Sequence, residues 1–351
     1  MAKHQFKGAL NMTQNMHDEP LEKAIKTALK RYDFNANVEA IQGGYQNHVY
    51  KFNQGKSSYI LRLTTPQVRT FSQVQGEVEW MIYLTNCGIP LSQPIPSKEG
   101  NTVEYIKTDK QNYNAVVFQY AKGKKLTYPE YLGHESLYET LGEITAKMHK
   151  ASRAYQPKTK KRHTYLDNYY LNHVTTYIPK TKKNIYQVQK ELMSDLEKLP
   201  KNERNFGLIH GDINIGNFHA DEEQVTLFDF DECQYSWYIE DIAIQLFYTI
   251  FVFGEDSKDE RYPVAKTFLK AFLKGYHKYE TITQKDIEKI SLFLNIREII
   301  VFVGIHKKWD FTNLNQWQKD YLKDSQGRIE NKVPLYDPMK DMAAYKPYLT
   351  K

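Results

Sequence analysis

The segment GLIHGDINIGNFHADEEQVTLFDFDE, residues 207–232, carries the side chains of this sequence best suited to chemistry. Its two apolar runs, GLIH and VTLFDF, read as short buried strands ending in polar residues. Asp212 then falls in the loop after the first run, Asn217 five positions later, and Asp229 at the end of the second. Phosphoryl transfer needs a carboxylate that orients a hydroxyl and takes its proton, and hard oxygen ligands that hold Mg²⁺ against the developing charge. On this spacing Asp212 is the expected base, Asn217 and Asp229 the expected Mg²⁺ ligands, and ATP the expected donor. Any one of these aspartates alone could equally cap a helix or turn the chain. Three matching residues on a strand–loop–strand background, with Gly211 and Gly216 permitting tight turns, favour the site. Asp231 is open between a contact to substrate or metal-bound water and a turn cap.

The Asp-to-Asn spacing equals that of HRDxxxxN in protein kinases, and FDFD stands where those enzymes have DFG. The loop HGDINIGN and the motif DFD resemble the aminoglycoside phosphotransferase and choline kinase family more closely. DFDECQYSWYIEDIAIQLFY is most similar to the branch with type II homoserine kinases and bacterial stress-response kinases. The resemblance covers roughly 38–308. It implies an α+β, two-lobed protein-kinase-like fold, with a small antiparallel β-sheet lobe and a larger, mainly helical lobe. It further implies transfer of the γ-phosphate of ATP, with Mg²⁺, to a small-molecule hydroxyl acceptor, and structural roles for His210 in the loop and Asp241 at the start of a helix.

Other expected site residues follow from the same resemblance. IQGGYQNHVYKF, residues 41–52, is the expected nucleotide-covering hairpin, with Gly43, Gly44, Tyr45, Gln46 and Asn47 against the phosphates; an ordinary hairpin turn is its alternative. YILRL puts Arg62 where kinases carry a phosphate-contacting Lys, a departure that keeps the charge but changes the donor geometry. Glu77, rather than Glu79, is the expected partner of Arg62. Backbone groups from Gln119 to Ala121 are expected at the adenine edge; His149 matches a family position, but a packed or capping histidine is the favoured reading. In the helical part Tyr235, Trp237 and Arg297 are candidate substrate contacts, although an Arg in so apolar a stretch as LFLNIREIIVFVG could instead form a buried ion pair with Glu298 or Asp241. No acidic cluster marks the last hundred residues. An amino alcohol, hydroxy amino acid or sugar is therefore favoured slightly over an aminoglycoside. The alternatives are an atypical protein Ser/Thr kinase and a non-catalytic nucleotide-binding protein.

Elements able to position these residues are legible in the pattern. Residues 21–32 and 71–86 have helical spacing; 38–53, 57–64, 101–108 and 114–121 read as strands of one antiparallel sheet. The expected organisation is a nucleotide-binding lobe over 1–120, a hinge at 121–130 (AKGKKLTYPE), and a helical catalytic and substrate-binding lobe over 131–351, with helices at 135–152 and 186–199 and several more filling 239–279 and 284–308. The 351 residues suit two packed lobes, and 41% hydrophobic with 26% charged residues is the balance of a folded protein. No apolar run is long enough for a signal peptide or a membrane span, so a cytoplasmic protein without membrane association is expected. The net charge of +6 owes much to KTKKRH at 158–163 and KTKK at 180–183. Neither run is interleaved with aromatics, so both read as solvated faces and no nucleic-acid partner is expected. Cys87 and Cys233 read as two reduced thiols in packed surroundings. A monomer or homodimer is expected.

Overall fold

In the strand SSYILRLT successive side chains alternate in direction, so Leu61 and Leu63 share one face and Arg62 takes the other. That alternation organises the first of two units in the computed structural model, which describes residues 19–41, 47–158, 162–221 and 224–350. The unit runs to Lys124 and also takes in Tyr155–Arg162 and His219–Asp231. Its elements are α1 (Glu19–Arg31), β1 (Val38–Ala40), β2 (His48–Gln54), β3 (Ser57–Thr64), α2 (Phe71–Asn86), β4 (Pro94–Ile95), β5 (Glu104–Ile106) and β6 (Tyr113–Gln119). The strands form a six-stranded sheet in the order β1-β2-β3-β6-β4, with β5 also paired to β6; every pairing is antiparallel. Ala24, Ala28 and Leu29 of α1 join Phe52, Leu61, Leu63, Ala115 and Val117 in one core.

Arg62, opposite Val116 in the β3–β6 register, leaves that core and meets α2. Helix α2 starts at a reciprocal capping box: Gln73 N donates to Thr70 Oγ1 at 3.3 Å and Thr70 N donates to Gln73 Oε1 at 2.9 Å. It buries Val74, Glu77, Val78, Trp80, Met81 and Leu84, a stripe at helical spacing that carries a carboxylate within it.

The second unit holds Lys125–Ala154, His163–Phe218 and the chain from Glu232 onward. In chain order it begins with α3 (Tyr128–Tyr131), a short turn inside the stretch expected as a hinge, and α4 (Glu135–Ala154). It continues through α5 (Tyr169–Asn172), α6 (Val174–Tyr177), α7 (Lys183–Glu197) and β7 (Phe206–Ile209). The chain then supplies β8 (Phe218–Ala220) and β9 (Val225–Leu227), which pair with each other, before β10 (Gln234–Trp237) pairs antiparallel with β7. Helices α8 (Tyr238–Ile250), α9 (Lys258–Tyr276), α10 (Gln284–Ile287), α11 (Ile290–Lys308), α12 (Gln316–Asn331) and α13 (Met342–Tyr345) complete it. Helix α4 packs on α9, and α8 on α11. Both α8 and α11 are buried almost all round, as expected of core helices. The β8–β9 pair is tied into the first unit by bridges from Lys124 to Ala220 and from Leu91 to Leu227. Gly123 is required at the first of these: its φ is +90°, and a Cβ would lie 2.7 Å from the Ala220 backbone.

Two expectations about the surface need correction. Cys233 is buried but Cys87, which ends α2, is exposed. Arg162, read within a solvated basic run, is buried: it donates to Gln73 O at 2.8 Å and to Asp231 O. The carbonyls at the edge of the unit draw it inward. No helix among the described residues is long and apolar enough to cross a membrane.

Candidate active site

In the second unit, the loop after β7 is fixed through its backbone. Asp241, in the first turn of α8, is fully buried and accepts from His210 N at 3.0 Å and Gly211 N at 2.8 Å. His149 of α4 donates to or shares a proton with Asp241 Oδ2 through Nε2 at 3.1 Å, and its Nδ1 meets Tyr276 OH at 3.0 Å. Burial works to raise the Asp241 pKa, but the bond and charge of His149, then His210 and the Gly211 amide, hold it below the usual range. Gly211 sits at φ +79°, and any side chain would collide with Glu232 O, 2.5 Å from the Cβ position. The loop therefore turns at Gly211, and Asp212 is presented next.

The Asp212 carboxylate is held unequally. Its Oδ2 accepts from Asn214 Nδ2 at 3.1 Å and Asn217 Nδ2 at 2.9 Å, and its carbonyl accepts from the same two amides at 3.0 and 2.9 Å. Its Oδ1 faces Arg297 Nη1 of α11 at 3.4 Å, beyond the range of a strong charged hydrogen bond. The amide NH₂ of Asn217 is committed to Asp212, so its Oδ1 remains as an oxygen ligand for a cation. The five-residue spacing thus brings the expected base and one expected metal ligand into direct contact.

Arg297 is not paired with Glu298 or Asp241, the partners weighed from sequence. Its Nη2 donates to Gly211 O at 2.6 Å, and its guanidinium lies 5.7 Å from the Tyr248 ring centre. Glu298, one position on and turned away along the helix, accepts from Arg328 of α12 at 2.9 and 3.2 Å, and Asp241 is engaged as described. Burial opposes the charge on Arg297, but Tyr248, Asp212, Glu240 and Glu232 raise its pKa above the ordinary value.

In the first unit, Arg62 and Glu77 form a buried bidentate pair, with Nη1 donating to Oε1 at 2.7 Å and Nη2 to Oε2 at 2.8 Å. Glu79 is directed elsewhere, accepting from Tyr155 OH at 3.0 Å and from Lys158 N. Burial disfavours the Arg62 charge, yet Glu77, then Asp231 and Asp229, keep its pKa above the ordinary value. Its Nε is buried without a hydrogen-bond partner among the described residues. Asp229 has φ +62°, a left-handed backbone that is uncommon for a residue with a side chain. Strain of this kind collects at functional positions.

Asp231 is anchored by protein groups: Asn47 Nδ2 donates to Oδ2 at 3.3 Å, Arg69 Nε lies 3.4 Å from Oδ1, and the carbonyl accepts from Arg69 and Arg162. Burial would raise its pKa, but Arg69, Arg62 and Arg162 hold it below the ordinary value. Asn47 Oδ1 accepts from Thr64 Oγ1 at 2.5 Å. Gly43, Gly44, Tyr45 and Gln46 lie outside the described residues. At the end of β6, Gln119 N donates to Gln93 O at 2.8 Å and Gln119 O accepts from Ser92, while Ala121 O pairs with His219 Nδ1 at 3.1 Å. Among the described residues the Ala121 N–H has no backbone partner.

Of the remaining substrate candidates, Trp237 is fully buried against Tyr165, Phe206 and Phe293 and donates its indole N–H to Pro200 O at 3.0 Å. Tyr235 is half-buried on β10 opposite Leu208. Sequence reasoning missed Asn214, Tyr248, Arg69 and Arg162. Asn214 was discoverable, since it stands two residues after Asp212 in the same loop. The other three come from elements remote in sequence and carry no local signal.

Residues 37–284 match the model of the phosphotransferase enzyme family (APH). Amicoumacin kinase of Bacillus subtilis (strain 168) is 28% identical over 317 residues, covering 90% of this chain and 93% of that protein. The solved structure of amicoumacin kinase hAmiN in complex with AMP-PNP, Ca²⁺ and Ami superposes with a TM-score of 0.82 at 30% identity, over 91% of this chain and 95% of that one. A microcompartment-associated aminopropanol kinase shares the fold, with a TM-score of 0.69 at 18% identity over 89% of this chain and 99% of that one. The chain belongs to the phosphotransferase enzyme family and is a small-molecule kinase.

Proposed function

We propose that the protein transfers the γ-phosphate of ATP, with Mg²⁺, to a hydroxyl of amicoumacin or of a small molecule of that class. The observation that carries this reading is the geometry of Asp212: one carboxylate oxygen is fixed by two amides and the other faces Arg297 at 3.4 Å. Asp212 Oδ1 takes the proton of the acceptor hydroxyl as its oxygen attacks the γ-phosphorus and the bond to the β-phosphate oxygen breaks, releasing ADP. Asn217 Oδ1 and the Asp229 carboxylate are the proposed metal ligands. No group of three or more His, Cys, Asp or Glu able to hold a metal occurs among the described residues. Mg²⁺ binds through one or two carboxylates together with substrate phosphates rather than in an all-protein cage.

Arg62, fixed by Glu77, presents Nε to a phosphate oxygen, and the Ala121 N–H reads the base edge. The choice of acceptor rests on likeness to amicoumacin kinases across nine-tenths of the chain. The test is a coupled ADP-release assay with MgATP across amicoumacin, amino alcohols, hydroxy amino acids and aminoglycosides. Amicoumacin-dependent release with one phosphate gained by the acceptor is the expected result; turnover confined to aminoglycosides would overturn the acceptor assignment.

A further inference from the structure

Arg297 sits in the middle of α11, a helix whose other inward-facing side chains are almost all apolar. Burying an arginine there is costly unless its donors are used. One is used on Gly211 O at 2.6 Å, and the guanidinium also faces Asp212 Oδ1 at 3.4 Å. The peptide unit on either side of Gly211 is thereby held from two helices: its N–H by Asp241 of α8 and its C=O by Arg297 of α11.

We infer that Arg297 is a positioning residue for the base. It fixes the backbone immediately before Asp212 while standing too far from Oδ1 to quench it. This deepens the proposed kinase reading and rests on its assignment of Asp212. The distances decide between a clamp on the backbone and an ion pair on the carboxylate. At 2.7–2.9 Å a guanidinium would bind the carboxylate as a charged hydrogen bond and compete with an acceptor hydroxyl for the same lone pairs. At 3.4 Å that competition is weak, whereas the bond to the Gly211 carbonyl is short. Tyr248, whose ring flanks the guanidinium, and the buried Glu240 help to hold Arg297 charged in place.

The prediction concerns turnover rather than nucleotide binding. A carboxylate displaced by an ångström or so from its productive position costs about 10²-fold in rate. In an Arg297→Gln enzyme, kcat for ADP release from MgATP, with amicoumacin and separately with water as acceptor, should fall by about 10²-fold. KM for MgATP should stay within about twofold, because only interactions made in the transition state are lost. Arg297→Lys retains a cation and one carbonyl bond, and should recover about tenfold of that loss. In an Asp212→Asn background, Arg297→Gln should lower the residual rate by less than about threefold, since residues acting as a unit are not additive.

Equal losses in the two backgrounds, or a raised KM with unchanged kcat, would overturn the inference and make Arg297 a substrate contact or a packing residue. If Arg297→Gln does not fold, the Lys variant decides: an unchanged kcat there rejects the clamp, and a loss confined to the Asp212 background supports it. An Asp212→Asn enzyme as active as the native one removes the base assignment itself, whereas an inactive Asp212→Asn enzyme beside a fully active Arg297→Gln enzyme removes only the clamp.

Discussion

Each unit buries an arginine beside a carboxylate, and the two pairs are built differently. Arg62 and Glu77 meet through two parallel bonds of 2.7 and 2.8 Å, which use both carboxylate oxygens. Arg297 and Asp212 meet through one contact of 3.4 Å, while the short bond of that arginine goes to a backbone carbonyl. A matched fork engages both oxygens of the acid with one cation, so Glu77 fixes Arg62. A loose pair leaves the acid its chemistry and uses the cation to fix the chain around it. Residue types alone do not separate a clamp from a poised base; about 0.7 Å of separation does.

Three changes test this contrast. Asp212→Asn should lower kcat by about 10³-fold, equivalent to about 4 kcal/mol, with folding stability and KM for MgATP little altered, as read by steady-state kinetics and urea denaturation. Glu77→Gln should do the reverse. Breaking the fork removes the matched partner of the buried Arg62, and unfolding free energy should drop by about 3 kcal/mol, with KM for MgATP rising as Arg62 loses its orientation. A Glu77→Gln enzyme of native stability would mean that the fork is not the clamp its geometry describes.

The smallest effect involves Glu240, on the same helix as Asp241 and in the field of Arg297. Burial pushes its carboxyl from 4.5 up to about 7; a hydrogen bond from Ser236 and the charge of Arg297 oppose the shift, and Asp241 adds to it. Between those two values the folded protein keeps a proton that the unfolded chain has released, so stability falls as pH rises through that window, by at most about 1.4 kcal/mol per pH unit. Glu240→Gln removes the dependence, so its melting temperature should gain on the native protein from pH 5 to pH 8. A constant difference would show that Glu240 titrates alike in both states.

Much of the fold was legible because its signals are local. The helices at 71–86 and 135–154 show in their periodicity, and the strands around Arg62 in their alternation. The strands Phe218–Ala220 and Gln234–Trp237 are too short to display a period. Helix Gln316–Asn331 is too polar for its buried stripe to stand out, although Asn315 and Gln318 cap it. The basic run at 158–163 misled because charge density predicts exposure on average, and Arg162 has carbonyls to satisfy inside the unit.

What the sequence determined by itself is the short-range chemistry. Asp212 and Asn217 touch because five residues of a glycine-bearing loop leave them little else to do, and Arg62 turns toward α2 because alternate residues of a strand face opposite sides. Tertiary structure alone decided what stands behind those groups. Arg297 reaches the loop from 85 residues away and Arg162 reaches Asp231 across 69. Contacts at such separations are set by how helices and strands pack, and the residues near either end of the chain interval hold no trace of which partner that packing will select.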